Sequence, residues 1–431
     1  MIPKKYTVAD NIRLSYIQTD KFKAEALTVS LDMPLTPENY VLSHVLCIAL
    51  GRGCERLPSI ADINRELDEL YSSTLSFNTT TRGDNLSVCL CADMISNKFV
   101  TDGTDVLRGV LHTGADMLMR PLLRDGVFLP DTVEKVKISF LDHVKSIKNY
   151  PKLYASARLG ELMDRNCDNN ITLEYVLEAT KKVDAAMLST FYTSLISDCS
   201  MNVFYVGSQS QEQVIHALTD AFAGFIGVSK APPIMPRIKT PTEYISVTED
   251  MPLKQGTLAM GFRTGAGVPE NTDTVLTVLN EIFGGSAASK LFLNVRERMS
   301  LCYYCGSKVS LLSGNMSVRS GLDNSNKDIA AEEILRQLSL IAKGEVSEKE
   351  MIAARQSIEY TYSQIYDSPR ALQNFYLEGE LFGIAETVEE HKQKLLAVSA
   401  EDVCRLAQNT VHDTVFYIHG TSTESEDEDD E

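Results

Sequence analysis

The sequence has no apolar run approaching the ~18 residues that a membrane-spanning helix needs. Its opening Met-Ile-Pro-Lys-Lys-Tyr is not followed by the apolar core of a secretory signal. Positive charge is in deficit: 41 Lys and Arg stand against 59 Asp and Glu, a formal charge of −18. Seven of the acids fall in 424–431, which leaves −11 for the remainder. A balance of that sign argues against nucleic acid and anionic membranes as partners. Cysteine is sparse and odd in number, nine in 431 residues, which does not suit a secreted disulfide framework. Reduced thiols in a cytoplasm fit better. No Walker-type phosphate loop occurs, and His112, His216, His391, His412 and His419 form no cluster. What is present is ordinary for a soluble globular protein, with 44% hydrophobic and 23% charged residues and length enough for two to four domains.

The chain repeats itself. Pro37-Glu38-Asn39 opens a helical pattern in which Val41, Leu42, Val45, Leu46 and Leu50 form an apolar stripe, with Asn39 able to cap it and Gly51 able to end it at positive φ. Pro269-Glu270-Asn271 opens another, with Val275, Leu276, Val278, Leu279 and Ile282 before Gly284-Gly285. Further echoes pair Asn85-Leu86-Ser87-Val88 with Asn315-Met316-Ser317-Val318, and Asn149-Tyr150-Pro151-Lys152 with Asp367-Ser368-Pro369-Arg370. Self-similarity of this kind, recurring in the same order along the chain, indicates a tandem pair of related units.

Alternating residues predict strands at 13–17, 26–31 and 202–207, and a hairpin of 75–80 with 86–90 about Arg82-Gly83-Asp84. Helical spacing predicts 60–70, 104–119, 131–149, 152–164, 183–195 and 210–222. The expected fold class is α+β, with two homologous domains, each a mostly antiparallel sheet with helices packed on one face. The first domain is expected at 1–228 and the second at 241–420. A proline-rich linker separates them at 229–240, and an acidic, disordered tail follows at 421–431.

His44, Cys47 and Ile48 stand at i, i+3 and i+4, on one helical face. That is where a helix could present H-x-x-E-H, a zinc-binding signature. With the duplicated layout, Gly284-Gly285-Ser286, Leu291-Phe292, Val295-Arg296-Glu297 and Tyr303, the chain resembles the insulinase (pitrilysin) family of zinc peptidases over nearly its whole length. It is most similar to a bacterial two-domain group that lacks the metal motif and accompanies a zinc-bearing homologue. Some members of that group are named for an association with elongation factor P modification.

Carried over by position, the resemblance puts the first histidine ligand at His44, the catalytic base at Cys47, the second histidine at Ile48 and the downstream glutamate at His143. Only His44 keeps the family residue, so these are degenerate positions and no hydrolytic metal centre is expected in this chain. Two readings of the remnant stay open: an altered, non-catalytic metal site from His44, Cys47 and His143, or a helix-face histidine beside a buried free cysteine.

Arg296 and Tyr303 match an arginine and a tyrosine that, in the family, contact substrate and stabilise the oxyanion. A guanidinium and a phenol are suitable donors for that work. The plainer alternative is an ion-paired surface arginine and a core tyrosine on a strand. Cys302-Tyr303-Tyr304-Cys305 has redox-motif spacing but lies where the pattern turns into a strand, with no second pair to make a zinc ribbon.

The function these observations imply is a subunit that is not active alone. It would supply Arg296 and Tyr303 and half of a chamber to a heterodimer whose zinc-bearing homologue cleaves a peptide or unfolded segment. It would need no cofactor of its own and would be cytoplasmic. The competing expectation is a non-proteolytic interaction protein of the same fold, with a link to elongation factor P modification resting on the resemblance alone.

Overall fold

The computed structural model describes residues 2–228, 234–381 and 385–422. The expected linker therefore begins outside the described residues, and so does the acidic tail beyond Ser422. The chain forms two compact units that are interleaved in sequence. The first comprises Met1–Val144, Glu174–Met235 and Ser363–Val388. The second comprises Lys145–Leu173, Pro236–Tyr362 and the described residues from Glu389 on.

The first unit is built on a sheet of β1 (Lys4–Ala9), β2 (Ile12–Gln18), β3 (Ala24–Pro34), β4 (Thr74–Arg82), β5 (Asn85–Ile95) and β6 (Met201–Gly207). Their spatial order is β1-β2-β6-β3-β5-β4, and only β2 with β6 is parallel. Central β3 is buried from Glu25 to Leu31, as expected of a strand covered on both faces. The β4–β5 turn is the two residues Gly83-Asp84, with Gly83 at φ 56°, a conformation that glycine adopts without steric cost.

The second unit holds β7 (Ile245–Met251), β8 (Gly256–Arg263), β9 (Tyr304–Ser310), β10 (Asn315–Leu322) and β11 (Val411–Gly420), in the order β7-β11-β8-β10-β9. Only β7 with β11 is parallel. That is the order of the first sheet from β2 onward, so the internal echoes correspond to a repeated topology. Both units are α+β with mostly antiparallel sheets, as the sequence implies.

One helix of each unit comes from the other repeat. On the second sheet, Leu258, Met260, Phe262, Val415 and Tyr417 face a core with Leu276, Leu279 and Phe283. The alternate residues Ala259, Phe416 and Ile418 face the other way, onto Tyr154, Leu159 and Met163 of helix Pro151–Met163. The first sheet takes helix Pro369–Leu381 in turn. There Gln373 Nε2 donates to the Phe204 carbonyl at 2.7 Å, and Arg370 donates to the Ala92 carbonyl at 2.6 Å.

Some boundaries differ from expectation. The first helix runs Pro37–Leu50, and its cap is Thr36 rather than Asn39: the Thr36 hydroxyl accepts from the Asn39 backbone N–H at 3.1 Å, and Pro37 occupies the first helical position. Gly51 is right-handed (φ −73°), so the helix exit does not use a left-handed glycine. The helix expected at 131–149 is Pro130–Ser146 followed by a single 3₁₀ turn, Ile147–Asn149.

Candidate functional site

In the first unit, helix Pro37–Leu50 is apolar nearly all round, and its buried residues fix which way His44 points. His44 Nδ1 lies 2.7 Å from the Tyr40 carbonyl, which can only accept, so this nitrogen carries the proton. Nε2 therefore accepts from the Thr79 hydroxyl of β4, at 2.8 Å. The ring stacks on Phe140 with centroids 5.2 Å apart and tilts against Tyr40 at 4.2 Å. Burial pushes its pKa down, the Tyr40 carbonyl works weakly against this, and His143 adds repulsion toward a second proton. His44 is thus a neutral imidazole with both nitrogens engaged and a face covered.

Cys47 is buried, and desolvation, reinforced by Cys89 and Cys91, drives its thiol far above the ordinary range. In these surroundings the protonated thiol is favoured, which does not suit a general base. Ile48 offers no donor. Phe140 reaches His44 from helix Pro130–Ser146, but His143, three residues further on that helix, is exposed. Among the described residues no three His, Cys, Asp or Glu side chains converge as metal ligands would. A catalytic zinc, with three protein ligands and an open position, does not fit this turn. The altered metal site drawn from His44, Cys47 and His143 is not assembled either.

In the second unit, Arg296 lies on the π-helical stretch Leu291–Arg298, anchored by buried Leu291 and Val295. Wide turns of this kind recur at functional sites. Its guanidinium sits over the Phe292 ring at 4.8 Å and 3.6 Å from Glu297. The chain then reverses through Ser300, a non-glycine residue at φ 50°, and the Leu301 N–H donates to the Val295 carbonyl at 3.1 Å. Tyr303 follows at a bend, its ring 51% exposed, so it is not the core tyrosine of the plainer alternative. Its N–H donates to the Gly321 carbonyl and its hydroxyl to Asp323 Oδ1, both at 2.8 Å. The Asp323 carboxylate, by accepting that proton, raises the pKa of the phenol.

Two thiols flank Tyr303 along the chain. Cys302 is half-buried, and Cys305 is buried on β9, opposite Ser320 of β10. The pKa of Cys302 is lowered to about 7, first by Cys305 and further by Ser320 and the Arg296 charge, while that of Cys305 is raised well above its usual value.

Sequence reasoning did not find Thr79, Phe140, Asp323 or Ser320. Only Asp323 left a trace, since it stands at the same offset from Asn315 as Asp93 from Asn85.

The fold is thus a duplicated α+β arrangement. Residues 182–358 match the family model described as Peptidase M16 inactive domain. Over 412 residues, 94% of this chain and 95% of the relative, the sequence is 25% identical to "Probable inactive metalloprotease YmfF" of Bacillus subtilis (strain 168). A conserved protein from Enterococcus faecalis V583 has a similar fold, with TM-score 0.88 at 22% identity over 99% of this chain and 100% of that one. A peptidase M16 inactive domain from Pseudomonas fluorescens superimposes with TM-score 0.79 at 13% identity, over 99% of each chain. In sequence and fold the chain is thus similar to M16 peptidase-like proteins described as inactive, in agreement with the insulinase resemblance of its sequence. No helix among the described residues is long and apolar enough to cross a membrane.

Proposed function

We propose that this chain, built from homologous halves at 1–228 and 241–420, is a catalytically incomplete subunit of a heterodimeric peptidase. A zinc-bearing homologue performs the hydrolysis. Arg296 and Tyr303 contact the bound peptide and donate to the carbonyl oxygen as it gains charge. One observation carries this reading. The turn at 44–48 is closed by its own packing, whereas the 296–303 turn presents a guanidinium and a phenol to solvent across a left-handed serine. A segment with a purely structural role has no need of a half-exposed tyrosine and a strained connection.

The test is co-purification with a zinc-bearing homologue, followed by peptide cleavage with and without chelator. Arg296→Ala combined with Tyr303→Phe should lower turnover of the complex on the order of 10²-fold or more, the usual effect of losing an oxyanion donor. Unchanged turnover would remove the proposed role.

A second reading, a non-proteolytic interaction protein, draws on the local partners of the same residues: Tyr303 is bonded to Asp323, and Arg296 rests on Phe292. A complex that forms but cleaves nothing would favour it.

A further inference from the structure

Helix Pro151–Met163 runs out into a loop, and the chain rejoins the second unit at Pro236 on its way to β7. The two stretches are held side by side. Arg165 of the loop donates to the Glu243 carbonyl at 2.5 Å. Both also attach to the buried Arg263–Asp413 pair, the helix end through the Met163 carbonyl and the approach to β7 through Thr242. The loop is tightly wound: the Cys167 N–H donates to the Asp164 carbonyl at 2.8 Å, and the Asn170 N–H to the Cys167 carbonyl at 3.0 Å. The Lys239 N–H in turn donates to the Ser313 carbonyl at 2.8 Å. With both backbones fixed in this way, Lys239 Nζ donates to Cys167 Sγ at 3.4 Å. Both residues are half-buried, so the pair is reachable from solvent. Cys91 and Cys404 are similarly placed at the surface, but the groups on their sulfurs are Thr28 and Asn78 in one case and Gln408 and the Ala342 carbonyl in the other. None of those is a nucleophilic amine.

We propose that Lys239 and Cys167 are a peroxide-sensitive pair that closes into a covalent sulfur–nitrogen bridge. The Cys167 thiolate attacks hydrogen peroxide: a sulfur–oxygen bond forms and the oxygen–oxygen bond breaks. The departing hydroxide takes a proton from the Lys239 ammonium and leaves as water. The Lys239 amine, now neutral, attacks the sulfur of the sulfenic acid. A sulfur–nitrogen bond forms, the sulfur–oxygen bond breaks, and hydroxide leaves as a second water with the proton lost from nitrogen. Sulfur gives up two electrons, and one peroxide is reduced to two waters. A sulfenic acid that finds no partner is open to further, irreversible oxidation, whereas condensation with a nitrogen protects it. Lys239 serves each step in turn, as hydrogen-bond donor to the sulfur, as acid toward hydroxide and as nucleophile. The bridge ties the loop after helix Pro151–Met163 to the approach to β7, two stretches that share the Arg263–Asp413 anchor.

The experiment is to treat the reduced, full-length protein with hydrogen peroxide, digest it with trypsin without reductant and map the peptides by mass. The expected product joins the peptides that carry Cys167 and Lys239. It should be two hydrogen atoms lighter than their sum, uncut after Lys239, and separable by dithiothreitol. This measurement needs no variant. Lys239→Arg keeps the charge but removes the amine, so Cys167 should remain a sulfenic acid that dimedone captures in roughly tenfold greater yield than in the unaltered protein. Cys167→Ser should give no joined peptide. Three results would each overturn the proposal: Cys167 carried to sulfinic acid with Lys239 free in the unaltered protein, a joined peptide that persists in Lys239→Arg, or no added dimedone capture in that variant. The bridge uses neither the 44–48 turn nor the 296–303 turn, so its outcome is separate from that of the function proposed above.

Discussion

The two units share a strand order but use matching positions in different ways. Leu276 stands where the first repeat has His44, and Leu279 where it has Cys47; both are fully buried in helix Asp273–Asn280. The first repeat keeps a polar ring at this turn and ties both its nitrogens to Tyr40 and Thr79, while the second has leucine at the positions of His44 and Cys47 and places its polar group, Asn280, where the first has Ile48. Asp93 and Asp323 also occupy matching places. Asp93 holds Arg370 of the exchanged helix at 2.8 Å, whereas Asp323 holds the exposed hydroxyl of Tyr303. One scaffold position thus anchors packing in the first unit and orients a surface phenol in the second. Duplication sets where a side chain can be placed, and the local partners decide what it can do.

The exchanged helices are anchored differently too, and this contrast can be broken experimentally. On the second sheet, Arg263 is 1% exposed, donates to Asp413 Oδ2 at 2.9 Å and binds the Met163 carbonyl at the end of helix Pro151–Met163. Asp413→Asn should give the largest loss, about 3 kcal/mol, because it leaves the buried guanidinium with the neutral oxygens of Met163 and Asn315 and a single, looser carboxylate, Asp164 at 3.5 Å. Denaturant unfolding would measure it. Burial alone would raise the Asp413 carboxyl, but the bonds from Arg263, Thr414 and Thr242 outweigh it and hold the group below the usual carboxylate range. Its contribution to stability is therefore complete above an ordinary carboxylate pKa of about 4 and lost as the pH falls through that value toward the lower folded one. Melting midpoints recorded against pH should show that acid slope, and Asp413→Asn should flatten it.

On the first sheet the fully buried anchor is the neutral Gln373, beside the more exposed Arg370–Asp93 pair. Gln373 Oε1 accepts from Thr28 at 3.1 Å and from Arg370, and the residue is fully buried. Gln373→Leu should cost roughly 1–3 kcal/mol, the penalty for stranding those donors, with no comparable acid slope. A smaller effect is expected from His44→Ala, roughly 1–2 kcal/mol from lost stacking and hydrogen bonds. Zinc content measured by emission spectroscopy should be the same before and after; zinc that disappears with His44 would contradict the closed-turn reading. Tyr303→Phe should be the mildest, within about 0.5 kcal/mol of the parent in thermal melts, since the ring is half exposed. A large destabilisation there would make Tyr303 a structural residue and bring the two units back into line.

Much of the fold was legible because it is local. Period-two and helical spacings located the strands at 13–17, 26–31 and 202–207 and most helices, and the internal echoes revealed the repeated order. The first helix cap was misread because Asn39 and Thr36 are both good caps, and the choice depends on Pro37 filling the first turn. The gap in the family's ligand pattern was readable from Cys47 and Ile48 alone. What fills its place was not: Thr79 and Phe140 meet His44 only through tertiary packing.

The interleaving of the two units has a practical corollary for anyone cutting the gene. A fragment ending near residue 228 would carry helix Pro151–Met163 without its sheet, and the first sheet would be missing the helix that brings Arg370 and Gln373. The reciprocal fragment would be short by the mirror-image piece. Expressed separately, the halves should be poorly soluble. Expressed together from two messages, they should find one another and restore the full protein, much as a split reporter does.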